Sequence, residues 1–268
     1  MIKRIYAVAF VSALSLAAKG PQRVIIDTVA GPMATGYLGH TKDLAPLDYV
    51  AIEFPTDDLP TEYDSREMFE HPEIRNQGAC GSCWAFASVR SLEISISHLK
   101  KDKLDLSEQD MVSCETSAYK CSGGFMESAN FLLTGITDEA HWPYAASNLK
   151  CKGTPKYAKA KEVKLLGSAG KSPTVDEIKG AIYYHGSSFV TVAAGSGWGG
   201  GSGELPQSAC RARGTNHMVT LVGWTVDNKW IMANSWGKDW GNKGYSLVPF
   251  GCAKIGEEAG YIVAGSVE

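Results

Sequence analysis

Seven cysteines constrain this chain of 268 residues more than any other feature: Cys80, Cys83, Cys114, Cys121, Cys151, Cys210 and Cys252. An odd number leaves at least one thiol unpaired if the others bridge. Whether they bridge depends on the compartment, and the first residues speak to that. Lys3 and Arg4 precede an apolar run over residues 5–16, which exits through Ser15, Leu16 and Ala17. At about 1.5 Å per residue the run is too short to cross the roughly 30 Å of a hydrocarbon core. A basic start, a short apolar middle and a small-residue exit mark a secretory signal peptide, expected over residues 1–17. Export leads to an oxidising compartment, where cysteines pair. The expected location is outside the cell or in the lumen of a lysosome-like or vacuolar compartment.

Composition narrows the class. With 44% hydrophobic and 21% charged residues, the chain resembles soluble globular proteins and excludes disordered or collagenous ones. It is long enough for one large domain or two small lobes. A net charge of −3 lacks the excess of Lys and Arg that nucleic acid or anionic lipid demands, so neither nucleic acid nor membrane is an expected partner.

Residues 18–58 carry Gly31, Pro32, Gly36, Gly39, Pro46 and Pro55 with no sustained period. They read as a short pro-segment or linker, and residues 59–268 as the folded domain. Phe86, Val89, Leu92, Ile96 and Leu99 recur at intervals of three and four, one apolar face of a helix beginning at Cys83. Ser107, with Glu108 and Asp110 behind it, opens a short second helix. A third is expected over residues 125–133, stopped by Gly135 as a left-handed cap. Thr174 and Glu177 cap a fourth. Runs rich in Val, Ile, Thr and Trp then mark strands over residues 188–194, 217–225, 229–235, 244–250 and 261–266. A helical part over about 59–150, followed by a β part over about 151–268, is an α+β architecture.

The candidate chemistry starts at the predicted helix N-terminus. Unpaired backbone N–H groups there favour a negative charge, so a Cys83 thiolate is stabilised and its pKa lowered below about 8.5. Six histidines are available as a base. His40, His71, His98, His141 and His185 sit in polar or loop contexts and read as surface residues. His217 instead opens the most apolar strand. Asn234, in the run Asn234-Ser235-Trp236-Gly237, supplies an amide able to hold an imidazole, with an indole to keep water away. Cysteine, histidine and asparagine in this order are one way to assemble a thiol nucleophile. A redox pair of Cys80 and Cys83 would leave five cysteines, still odd. A zinc knuckle lacks a second close ligand pair, since no histidine adjoins Cys114 and Cys121. No metal or cofactor is expected.

Four blocks together resemble the papain family of cysteine peptidases: residues 77–86, Cys121-Ser122-Gly123-Gly124, Asn216-His217, and Asn234-Ser235-Trp236-Gly237. The resemblance implies a two-lobed fold with a helical left lobe and an antiparallel, β-barrel-like right lobe, the active site lying in the cleft between them. It implies Cys83 as nucleophile, His217 as base, Asn234 as the orienting amide and Gln77 as an oxyanion donor beside the Cys83 N–H. It implies disulfides Cys80–Cys121, Cys114–Cys151 and Cys210–Cys252, which leaves Cys83 free. Gly81, Ser82, Gly123, Gly124, Phe125, Met126 and Trp236 are expected to line the substrate site. The expected partners are peptide or protein substrates met by a monomer.

The start at Leu59-Pro60 and the tail near Cys252 are similar to cathepsin B-like members. This likeness puts Glu257 or Glu258 at the base of the main specificity pocket, admitting Arg as well as apolar side chains. Between Cys121 and Cys151 there is no insertion bearing the paired histidines of an occluding loop, and His141 stands alone, so an open cleft and endopeptidase action are expected. A Gly/Ser-rich run around Trp198 departs from the family and should flank the cleft. The long helical propeptide of many relatives is missing as well. A segment as short as residues 18–58 covers a cleft only as an extended strand, which implies weak latency. The competing readings are acyl transfer to an amine, as in transglutaminases, and an inactive homologue that only binds.

Overall fold

The computed structural model describes residues 24–39, 48–50, 55–168, 171–195, 197–199, 201 and 203–267. The expected signal peptide lies outside these residues. In chain order the elements are β1 (Ile25–Thr28), β2 (Gly31–Ala34), β3 (Asp48–Val50), β4 (Tyr63–Asp64), α1 (Cys83–Lys100), α2 (Glu108–Cys114), β5 (Ala158–Leu166), α3 (Val175–His185), β6 (Ser188–Val192), β7 (His217–Trp224), β8 (Lys229–Ala233), β9 (Tyr245–Pro249) and β10 (Ala259–Val267).

Helix α1 is the axis of the left lobe. Its apolar spacing suggests one buried face, yet every residue from Cys83 to Ser97 is buried. Most of the polar ones find partners: Ser88 Oγ donates to the Trp84 carbonyl at 2.7 Å, and the Arg90 guanidinium caps the carbonyls of Pro72 and Glu73, while Ser91 Oγ has none among the described residues. Burial on all sides needs such partners, because an unpaired buried donor or charge costs several kcal/mol. Ser107 caps α2 by accepting the Asp110 N–H, and Thr174 and Glu177 form a capping box on α3. The predicted third helix differs: residues Met126–Thr134 form a 3-10 helix, and Gly135 ends it at φ 101°, ψ 157°, outside the left-handed helical region.

The sheet runs β3-β5-β10-β6-β7-β8-β9, with β4 added on β7. Every pairing is antiparallel except β3 with β5. Strand β5 escaped the sequence reading because its inward positions include the small Ala158 and Ala160, and lysines fill much of the outward face, which blunts the alternation. One core lies under α1 and the near face of the sheet. The other gathers Trp198, Trp224, Trp230, Trp236 and Trp240 in the right lobe.

Disulfides join Cys80 to Cys121, Cys114 to Cys151 and Cys210 to Cys252, as the resemblance implies, and Cys83 is the free thiol among the described residues. Each bridge typically contributes about 2–4 kcal/mol by restricting the unfolded chain.

Three of the histidines read as surface residues are partly buried instead. His71 stacks on Phe69 and His185 on Tyr261. Burial pushes their pKa values down to about 3 and about 4, and lowers that of His98.

Candidate active site

Cys83 is the first residue of α1 and fully buried. The turn before it is fixed from outside the helix. The Cys80–Cys121 bridge ties it to the turn before Gly123, and the Gly81 N–H donates to the Cys121 carbonyl at 2.9 Å.

His217 opens β7 and Asn234 follows β8, and the antiparallel pairing of these two strands brings the residues together. The Asn234 Oδ1 accepts the Ser235 N–H at 2.8 Å, which fixes that atom as oxygen. It also lies 2.8 Å from His217 Nε2, so Nε2 carries the proton. The other ring nitrogen, Nδ1, has no hydrogen-bond partner. Trp236 covers the pair, its ring 4.8 Å from the imidazole. Trp198, from the Gly/Ser-rich loop, meets the imidazole edge-on at 6.2 Å and stacks on Trp240.

Gln77 is held at both ends of its amide. Its Oε1 accepts the Ser235 hydroxyl at 2.6 Å, and its Nε2 donates to the Cys80 carbonyl at 2.9 Å. The second donation of Nε2, also at 2.9 Å, goes to the carbonyl of Ala34, from the supposed linker.

Residues 34–38 run through the cleft. The Gly36 and Tyr37 N–H groups donate to the Asn216 carbonyl, the Leu38 N–H to the Gly124 carbonyl, and the Gly124 N–H to the Gly36 carbonyl. Tyr37 and Gly124 pair in parallel. The Gly36 N–H, turned to the Asn216 carbonyl at 3.2 Å, also lies near the Cys83 sulfur. Only glycine fits there: a Cβ on Gly36 would sit 2.0 Å from the Gly81 carbonyl oxygen. Behind this strand, the β1–β2 hairpin leans on the Gly/Ser-rich loop, where the Val29 N–H donates to the Gly199 carbonyl at 3.1 Å.

This strand reverses one expectation. Burial under it pushes the Cys83 thiol up to about 12 and the His217 imidazole down to about 4, so both are neutral. In this closed state desolvation works against the thiolate that the helix N-terminus favours.

The remaining predicted positions separate. Gly123 and Gly124 flank the cleft strand, and Phe125 is buried beside Tyr119. Met126 is fully buried. Ser82 turns its hydroxyl into the left lobe, 2.7 Å from the Tyr144 hydroxyl. Glu257 is on the surface, paired with Lys254 at 2.7 Å, whereas Glu258 accepts a hydrogen bond from the buried Tyr37 hydroxyl. Sequence reasoning missed Ala34, Gly36 and Tyr37, for which one glycine among several in an aperiodic segment is the only signal. It missed Tyr144 and Ser235 as well.

Two lobes meeting at a thiol and an amide-held imidazole define the class of cysteine-dependent acyl-transfer enzymes. Within that class the assignment is narrower: residues 59–261 match the family described as Papain family cysteine protease, and the chain belongs to it.

It is 31% identical over 258 residues to a viral cathepsin of Lymantria dispar multicapsid nuclear polyhedrosis virus, covering 81% of this chain and 67% of the relative. It is 34% identical to the viral cathepsin of Heliothis zea nuclear polyhedrosis virus, over 71% of this chain but only 52% of that protein. The chain thus spans about half to two thirds of the length of these relatives. Among solved structures it is similar to the digestive procathepsin L 3 of Tenebrio molitor larval midgut, with a TM-score of 0.72, 26% identity and coverage of 84% of this chain and 75% of that one. It is also similar to a Carica candamarcensis cysteine protease in complex with E-64, with a TM-score of 0.67, 28% identity and coverage of 76% and 98%.

Proposed function

We propose that this chain is a latent thiol endopeptidase that hydrolyses peptide bonds once residues 34–38 leave the cleft. The observation that carries the reading is the Gln77 amide, already closed on a backbone carbonyl beside a buried free thiol. With the strand gone, water reaches both groups and the desolvation that keeps them neutral is relieved. His217 Nδ1 then takes the Cys83 proton, and the thiolate attacks a substrate carbonyl. The Cys83 N–H and Gln77 Nε2 hold the oxyanion. His217 protonates the leaving amine and later activates water against the thioester. Losing one oxyanion donor typically costs about 10²–10³ in rate. Cys83→Ala should abolish turnover, and residual hydrolysis by that variant contradicts the assignment.

Glu258 is the specificity-pocket acid of this reading, supported by the Tyr37 hydroxyl that reaches it. Reporters ending in Phe-Arg and Arg-Arg should both be cleaved, and Glu258→Gln should selectively lose the second. The cathepsin B-like start and the lack of an inserted histidine pair support an open cleft. The mature enzyme would begin near Leu59 and act as a monomer, secreted or in a vacuolar lumen; among the described residues no helix is long and apolar enough to cross a membrane. Acyl transfer to an amine is the second reading, and product analysis with added amine separates it from hydrolysis.

A further inference from the structure

We infer that Tyr144 is a positioning residue for the oxyanion hole, locking its two donors to one another through a single hydroxyl. The two donors come from opposite ends of one turn, Gln77 at the start and the Cys83 N–H at the end. The Tyr144 hydroxyl donates to the Gln77 carbonyl at 3.0 Å and accepts from the Ser82 hydroxyl at 2.7 Å. Ser82 directly precedes the nucleophile and makes no side-chain cap on α1; its hydroxyl is much closer to Tyr144, at 2.7 Å, than to its other partner, the Cys80 carbonyl at 3.5 Å. One phenol therefore spans the turn and fixes the distance between its ends.

The phenol is itself immobilised. Its ring packs edge-on against Phe86 of α1 at 4.8 Å. The Tyr144 N–H donates to Glu139 Oε1 at 2.9 Å, and the next N–H, of Ala145, donates to Gln109 Oε1 at 2.9 Å. Ser107 Oγ donates to the Trp142 carbonyl at 2.6 Å, so the loop carrying Tyr144 is pinned from α2 on both sides. A preorganised donor pair is worth most when its geometry is fixed before charge develops, and small misplacements are costly.

The inference rests on the hydrolytic reading of the same site, and the test separates the two. The full chain, matured in acid and titrated for active thiol, is compared with Tyr144→Phe, Ser82→Ala and the double variant. For Tyr144→Phe, kcat should fall on the order of tenfold with KM nearly unchanged. Affinity for a peptide aldehyde, whose adduct places an oxyanion in the hole, should fall by the same factor. Alkylation by iodoacetamide needs no oxyanion donor and should keep its rate, while the melting temperature falls by no more than the few degrees that a lost buried hydrogen bond is worth. The double variant should be no worse than Tyr144→Phe alone, since both substitutions cut one bridge.

An unchanged kcat overturns the inference. So does a parallel loss of kcat and alkylation rate, which would mark a purely structural tyrosine, and so do additive losses in the double variant. If the wild-type chain shows no turnover that depends on Cys83, the hydrolytic reading itself has failed.

Discussion

His217 has one nitrogen committed and one in reserve. Asn234 Oδ1 holds the Nε2 proton, and Nδ1 is left without a hydrogen-bond partner. In the closed state the imidazole titrates near 4, below the roughly 6.5 of a solvated histidine. The closed form therefore binds fewer protons on His217 than an open one would between those values, and its stability falls as pH drops from about 6.5 to about 4. The full swing is on the order of 3 kcal/mol, so acid favours opening of the cleft. Hydrogen exchange at Gly36, Tyr37 and Leu38 in the Cys83→Ala protein, corrected for intrinsic rates, should rise across that window. Flat exchange contradicts the linkage.

At this scale the sequence was most legible where chemistry dictates identity: a cysteine, a histidine and two amides leave few alternatives once their order is known. The closed-state protonation was hidden, because it depends on which backbone lies over the thiol and not on the thiol's neighbours in sequence.

The helices and strands show the same division. Caps made by Ser107 and Thr174 were readable, since a hydroxyl before an acid-rich turn has one efficient use. The burial of α1 on all faces was not, because it depends on the sheet and α2 closing around it. Beneath α1 and α2 lies an unusual group of acids. Glu93 accepts the Leu106 N–H at 2.7 Å, Glu108 Oε2 has no hydrogen-bond partner, and Glu139 adjoins them with Arg75 as the nearest cation. Burial pushes Glu93 up to about 8 and raises Glu108 well above the usual range.

A carboxyl with a raised folded-state pKa stabilises below its unfolded value near 4.5, and that stability is lost as pH climbs through 8. Glu93→Gln keeps the acceptor for Leu106 and removes the charge. Its melting temperature should exceed wild type at pH 8 by roughly 2–4 °C, for a gain on the order of 1 kcal/mol. No gain should appear at pH 4.5. A loss at pH 8 would mean that the ionised carboxylate is instead favourably paired.

On the scale of the whole molecule, the lobes and the strand between them form one closed unit. The β1–β2 hairpin rests on the Gly/Ser-rich loop, the loop carries Trp198 onto the His217–Trp236 pair, and the chain then threads past Cys83 to Glu258. The sequence reading allowed residues 18–58 to cover the cleft only as an extended strand and did not identify which residues would do so, since Ala34 to Leu38 has no periodicity and binds mainly through its backbone. Gly36 is the narrowest point, and any side chain there collides with the Gly81 carbonyl.

The account is tested most directly by labelling with an epoxysuccinyl inhibitor at pH 7, followed by mass spectrometry of the unreduced protein. Wild-type full chain should stay largely unlabelled, and Gly36→Ala should react rapidly at Cys83 alone, with the other six cysteines still bridged. Equal labelling of both proteins would contradict the closed cleft. Label on another residue, or Cys83 found in a disulfide, would remove the nucleophile on which the function rests.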